Sequence, residues 1–144
     1  MEKVPLMKWV MTAFPYFIDV DASVHQARSM MLKHNIRHLP AKDGGSLVGV
    51  FTDRDLKRAL DPELGLASKD ELVVRDILLR DAYVVDLEER LDKVLLELAR
   101  QHIDCVLVTK EGRLAGIFTA TDACRVFGEY LRSHFGLDRD PDVA

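Results

Sequence analysis

Leu47-Val48-Gly49-Val50-Phe51-Thr52-Asp53-Arg54-Asp55-Leu56-Lys57-Arg58 returns 67 residues later as Leu114-Ala115-Gly116-Ile117-Phe118-Thr119-Ala120-Thr121-Asp122-Ala123-Cys124-Arg125. Working outward, Met7 to Leu60 overlays Val74 to Phe127 without a gap. Tyr16 meets Tyr83, Asp19 meets Asp86, Ile36 meets Ile103, and Gly45 meets Gly112. A gap-free repeat of this size is one supersecondary unit used twice, each copy too small to bury a core alone. The fold is therefore two halves closing on each other, and their seam is the place to look for function.

Each copy reads helix, strand, helix, strand, strand, helix, an α/β (α+β) arrangement. In the first, a short helical piece spans about residues 6–11 and an apolar strand about 16–20. Ser23 with Gln26 predicts a capping box ahead of a helix burying Val24, Ala27, Met30 and Met31, which Asn35 stops. A strand over residues 36–41, a turn at Asp43-Gly44-Gly45 and a strand over 47–51 form a hairpin, followed by a helix from about Thr52 to Leu60. The second copy predicts strands over 83–87, 105–109 and 114–118, with a helix over 89–101 burying Leu91, Val94, Leu95 and Leu98. Asp61 to Asp70, with Pro62, Gly65 and Ser68, reads as a linker. The division is 1–65, first repeat; 66–130, second repeat; 131–144, the end of the last helix and a frayed tail.

Composition narrows the function classes. A net charge of -4, with no long Lys/Arg block, argues against a nucleic-acid-binding face. The longest charge-free apolar stretch, from Trp9 to Ile18, contains Pro15 and is too short to cross a membrane. No secretory leader is evident, and Cys105 and Cys124 lack a CxxC spacing, so a reduced, cytoplasmic protein is expected. The five histidines form no metal-ligand pattern, and neither a Walker A loop, a Rossmann fingerprint nor a nucleophile elbow occurs. No catalytic residue, catalytic cofactor or metal site is expected.

Gly-x-x-Thr-x-x-Asp, present twice, lies where a strand enters a helix. The N–H groups and dipole there favour anions. A Thr hydroxyl can bond phosphate or sugar, and an Asp one turn later can accept both hydroxyls of a ribose. The same Thr-x-x-Asp is also a capping box, which stabilises a helix by about 0.5–2 kcal/mol with no ligand. Both readings stand.

This ordered set resembles the tandem CBS-domain pair, or Bateman module, from about Leu6 to Phe127. It includes Val10-Met11 with Ile77-Leu78, the strand-helix passages after Tyr16 and Tyr83, Ile36-Arg37-His38-Leu39-Pro40, and both Gly-x-x-Thr-x-x-Asp closures. The resemblance implies two βαββα units packed sheet to sheet, with clefts for AMP, ADP, ATP or S-adenosylmethionine as regulatory ligand. It implies that Asp55 and Asp122 hold ribose hydroxyls, with Thr52 and Thr119 near ribose or phosphate. The strands at Phe17, Ile18 and Asp19 with Arg37, His38 and Leu39, and at Val84, Val85 and Asp86 with Asp104, Cys105 and Val106, would frame adenine. A homodimer through the helices is also implied.

The copies differ in charge. The first has Arg54 beside its Asp, and Arg37-His38 before Pro40; the second has Thr121, Asp104 and Cys105 there, and Leu107 in place of Pro40. The Asp55 cleft is thus expected to take the more phosphorylated ligand, unless phosphates are reached from the opposite copy. The expected function is a nucleotide-sensing module acting on a regulated enzyme or transporter. The alternatives are a scaffold that docks a partner through its helical face, and a small nucleotide hydrolase.

Overall fold

The computed structural model describes residues 3–62, 72–78 and 81–137. The first copy supplies α1 (Met7–Val10), β1 (Thr12–Ala13), β2 (Ile18–Asp19), α2 (Val24–His34), β3 (His38–Asp43), β4 (Ser46–Thr52) and α3 (Asp53–Leu60). The second supplies α4 (Val74–Ile77), β5 (Val84–Asp86), α5 (Leu91–Gln101), β6 (Cys105–Lys110), β7 (Arg113–Thr119) and α6 (Ala120–His134). Two sheets result, ordered β2-β3-β4 and β1-β7-β6-β5. β2 pairs parallel with β3 and β3 antiparallel with β4; in the same way β5 pairs parallel with β6 and β6 antiparallel with β7.

Local chemistry accounts for the element ends. The Ser23 hydroxyl accepts the Gln26 N–H at 3.0 Å and caps α2, and Asn35 ends the helix in the left-handed conformation at φ 52°. The Ile36 N–H returns to the Met31 carbonyl at 3.0 Å, so Ile36 and Arg37 are used up in leaving the helix. β3 therefore starts at His38, two residues later than the sequence suggests. Helix α5 starts at Leu91 and not Glu89, because Arg90 is engaged in a bridge with Leu6. The hairpin turn is Gly44-Gly45, both at positive φ, while Asp43 closes β3 outside the turn. Of the linker read at Asp61 to Asp70, residues 63–70 lie outside the described residues, as does the tail over 138–144.

The leading segments of the two copies are exchanged. Met7 is fully buried in the second core, among Leu91, Val94, Leu98, Val106, Val108 and Phe118. Its N–H donates to the Glu89 carbonyl at 2.8 Å, and β1 adds to the edge of β7. Reciprocally, Leu72, Val74 and Ile77 complete the first core around Val20, Val24, Leu39 and Phe51. The Val74 N–H donates to Ala22 at 2.9 Å and the Arg75 N–H to Val20 at 2.8 Å. Arg75 also bridges Asp21 and Asp43. A third cluster, Cys105, Leu107 and Ile117 against Leu47 and Val50, joins the sheets face to face.

Gly116 marks how closely the exchange packs. A Cβ there would collide with Met11 Sδ and lie 3.0 Å from the Thr12 carbonyl oxygen. The missing side chain makes room for the chain's own leader.

Candidate functional site

The two Gly-x-x-Thr-x-x-Asp closures fold as capping boxes. Thr52 caps α3: its hydroxyl accepts the Asp55 N–H at 3.3 Å, and Asp55 Oδ2 accepts the Thr52 N–H at 2.8 Å. Thr119 caps α6 likewise, at 3.4 and 2.9 Å. In both, the remaining carboxylate oxygen decides what else the residue can do.

In the first copy that oxygen is taken. Arg58 Nη2 donates to Asp55 Oδ1 at 3.3 Å and to the Ile77 carbonyl at 3.1 Å, and the Asp55 side chain is 9% exposed. In the second copy Arg125 leans toward Glu129, at 3.4 Å, and stands 4.0 Å from Asp122 Oδ1. Asp122 is left 20% exposed.

Asp122, Thr119, Thr121 and Ile117 line a cavity of about 390 Å³ together with Thr12, Asn35, Ile36, Arg37 and His38. Both halves of the chain thus wall one cavity. Asp104 is not in this lining but touches it through His38. His38 Nε2 lies 3.4 Å from Asp104 Oδ1, and the Asp104 carbonyl accepts the Ala120 N–H at 2.8 Å. Cys105 lies buried behind the rim. Burial, then the charges of Asp104 and Asp122, push its thiol up to about 12, so it is a hydrophobic filler and not a nucleophile at neutral pH.

The structure brings together Arg37, His38, Thr119, Thr121 and Asp122 from the residues singled out in the sequence. Asp55 and Thr52 lie outside this lining, and Arg54 is exposed on α3. The basic pair Arg37-His38, from the first copy, lies in the lining of the cavity that holds Asp122 of the second. Leu39, Pro40 and Val106 are fully buried and Ile18 nearly so, so they pack beneath the surface. Phe17 is exposed under the Lys42 ammonium, 4.0 Å from the ring centroid. Asp19 Oδ1 accepts the Asp21 N–H, Val84 is exposed, and Val85 packs against the second core.

Thr12, Asn35, Ile36 and Ile117 were not singled out from sequence. Thr12 arrives only because the leader is exchanged onto β7, for which spacing gave no sign. Asn35 was legible as a helix stop, and that stop places it at the cavity. Among the described residues no three metal-ligating side chains converge, and no helix is long and apolar enough to cross a membrane.

Comparison with known proteins places the fold. The CBS domain family model covers residues 9–62 and 74–129. L-aspartate semialdehyde sulfurtransferase of Methanocaldococcus jannaschii is 29% identical over 127 residues, which is 87% of this chain and 24% of that protein. Inosine-5'-monophosphate dehydrogenase of Korarchaeum cryptofilum is 33% identical over 126 residues, again 87% and 24%. The chain spans about a quarter of the length of these relatives. Among solved structures, the CBS domain pair of protein MJ0100, in complex with 5'-methylthioadenosine and S-adenosyl-L-methionine, superposes with a TM-score of 0.79. It is 28% identical, with 89% of this chain and 99% of that one covered.

Proposed function

The chain belongs to the CBS-domain family, carrying two copies in tandem, and on that footing we propose that it is a regulatory module that binds an adenosine-containing ligand at Asp122. The observation that carries this reading is Asp122 itself, 20% exposed, no nearer than 4.0 Å to Arg125 through Oδ1, and in the lining of a cavity walled by both repeats. Asp122 accepts the ribose hydroxyls through Oδ1 while Oδ2 keeps its capping role. Thr119 and Thr121 supply hydroxyls beside the sugar, and Arg37 meets a negative group on the ligand. AMP, ADP, ATP and S-adenosylmethionine all belong to the class. The adenosyl compounds held by the MJ0100 pair support it.

Such a module works without chemistry of its own. A ligand touching both walls favours one closure of the two halves, by no more than its difference in affinity for the two states. A second copy docked through the helices, and a cytoplasmic enzyme or transporter, would read that closure. Thermal unfolding with 5'-methylthioadenosine, S-adenosylmethionine, AMP and ATP tests the proposal. Ligand at about 100 times its dissociation constant stabilises by about 2.7 kcal/mol, and Asp122→Ala abolishes the gain. No shift with any of them sinks the reading.

A scaffold role is the second reading, favoured by the exposed Phe127 and Tyr130 on α6 and Phe135 at its C-terminal cap. It takes over if the adenosine ligands all fail.

A further inference from the structure

Position 37 of the first copy and position 104 of the second are equivalents in the repeat, yet one is Arg and the other Asp. The fold brings these neighbourhoods together across the seam, where Asp104 reaches His38, the residue after Arg37, at 3.4 Å. Asp104 is not placed by a flexible arm. Its carbonyl holds the Ala120 N–H at 2.8 Å, which ties it to the first turn of the helix bearing Asp122. Two carboxylates, Asp122 in the lining and 4.0 Å from Arg125, and Asp104 beside it on His38, thus stand against one lining guanidinium, Arg37, and one imidazole. Among the described residues Arg37 has no ion-pair partner, whereas His38 is already engaged. Arg at position 104, as in the first copy, would make the rim cationic and suited to a polyphosphate.

The geometry points to Asp104 as a specificity-determining residue: it holds His38 and sets a negative charge at the rim, so the cavity takes adenosine ligands with little negative charge on the 5' substituent. A thioether, a sulfonium or a single phosphate on Arg37 fits this rim; a triphosphate meets a carboxylate and only one free cation. This rests on the reading of the Asp122 cavity as an adenosine site.

The test is calorimetric titration of the full chain with 5'-methylthioadenosine, AMP and ATP, in one buffer and salt, for wild type, Asp104→Asn, Asp104→Glu and Asp122→Ala. Wild type binds the thioether and AMP more tightly than ATP. Asp104→Asn, nearly isosteric, raises the ratio of ATP affinity to thioether affinity about tenfold, as expected for removing one unit charge from a rim of intermediate dielectric. The gain shrinks in high salt, and Asp104→Glu keeps the wild-type ratio. Wild-type preference for ATP, or an unchanged ratio in Asp104→Asn, overturns the assignment. If binding is present, and lost in Asp122→Ala, but the ratio does not move, the adenosine reading survives and only the selector falls. If wild type binds none of the three compounds, both fall together.

Discussion

Arg58 donates to Asp55 Oδ1 at 3.3 Å, although its repeat equivalent Arg125 stands 4.0 Å from Asp122 Oδ1 and leans on Glu129. Glu129 explains the difference: the equivalent position in the first copy is Pro62, which offers no competing carboxylate. Arg58 has a second anchor in the Ile77 carbonyl, presented by the exchanged leader α4. One duplicated motif has thereby become a closed lock in one half and a more loosely held, more exposed carboxylate in the other.

Arg58→Ala leaves a nearly buried carboxylate oxygen without its partner and frees the Ile77 carbonyl. The expected loss is about 1–2 kcal/mol, discounted because the guanidinium itself is 44% exposed. Arg125→Ala, on an exposed pair, stays within about 0.5 kcal/mol of wild type. Urea midpoints at unchanged slope measure both. Equal losses would show that the asymmetry has no energetic content.

The capping boxes give a second contrast, independent of any ligand. Thr52→Ala and Thr119→Ala each remove a hydroxyl that accepts the N–H three residues on, at a cost of about 1 kcal/mol, and Ser at either place restores most of it. These losses appear in unliganded protein. A Thr119→Ala chain as stable as wild type would mean that the cap contributes nothing.

Much of this was legible in the sequence, for a physical reason. Gly44-Gly45 fixes a hairpin, Ser23 and Asn35 fix the ends of a helix, and Thr-x-x-Asp fixes two more helix starts, all through interactions within a few residues. What spacing could not show was long-range. Met7 belongs to the second core and Val74 to the first, yet each reads merely as the start of its own repeat. The cavity inherits that blind spot, since Thr12 reaches it on the exchanged leader. The pairing of His38 with Asp104 likewise crosses the pseudo-symmetry axis, where sequence distance carries no information.

The exchange itself predicts that the leader is structural. Met7→Ala removes a fully buried side chain from the second core and costs about 2–5 kcal/mol, whereas Trp9→Ala, two residues on and 74% exposed, costs under about 0.5 kcal/mol. Hydrogen exchange locates the effect. Amides of β6 and β7 lose protection in Met7→Ala, although Met7 lies 98 residues before Cys105 in sequence. Loss confined to β3 and β4 would contradict the exchange.

Cys105 supplies the alkaline limb of the stability profile. Burial raises its thiol from an ordinary value of 9.0 to about 12, so the folded chain keeps a proton that the unfolded chain releases above about pH 9. The unfolded state then binds fewer protons, and stability falls as pH rises from about 9 to about 12, by at most about 1.4 kcal/mol per pH unit from this group. Tyr83, also raised chiefly by burial, adds a fall of the same sign above its ordinary 10.0. Cys105→Ala separates them: its midpoint is lower at pH 7 because of the lost volume, but its decline between pH 9 and 10 is shallower than that of wild type. Cys124, exposed on α6, reacts with a thiol reagent in the native protein, while Cys105 waits for unfolding. Parallel declines in the two proteins, or two thiols titrated at once in native buffer, would place the Cys105 side chain in solvent and break the sheet-to-sheet seam that frames the cavity.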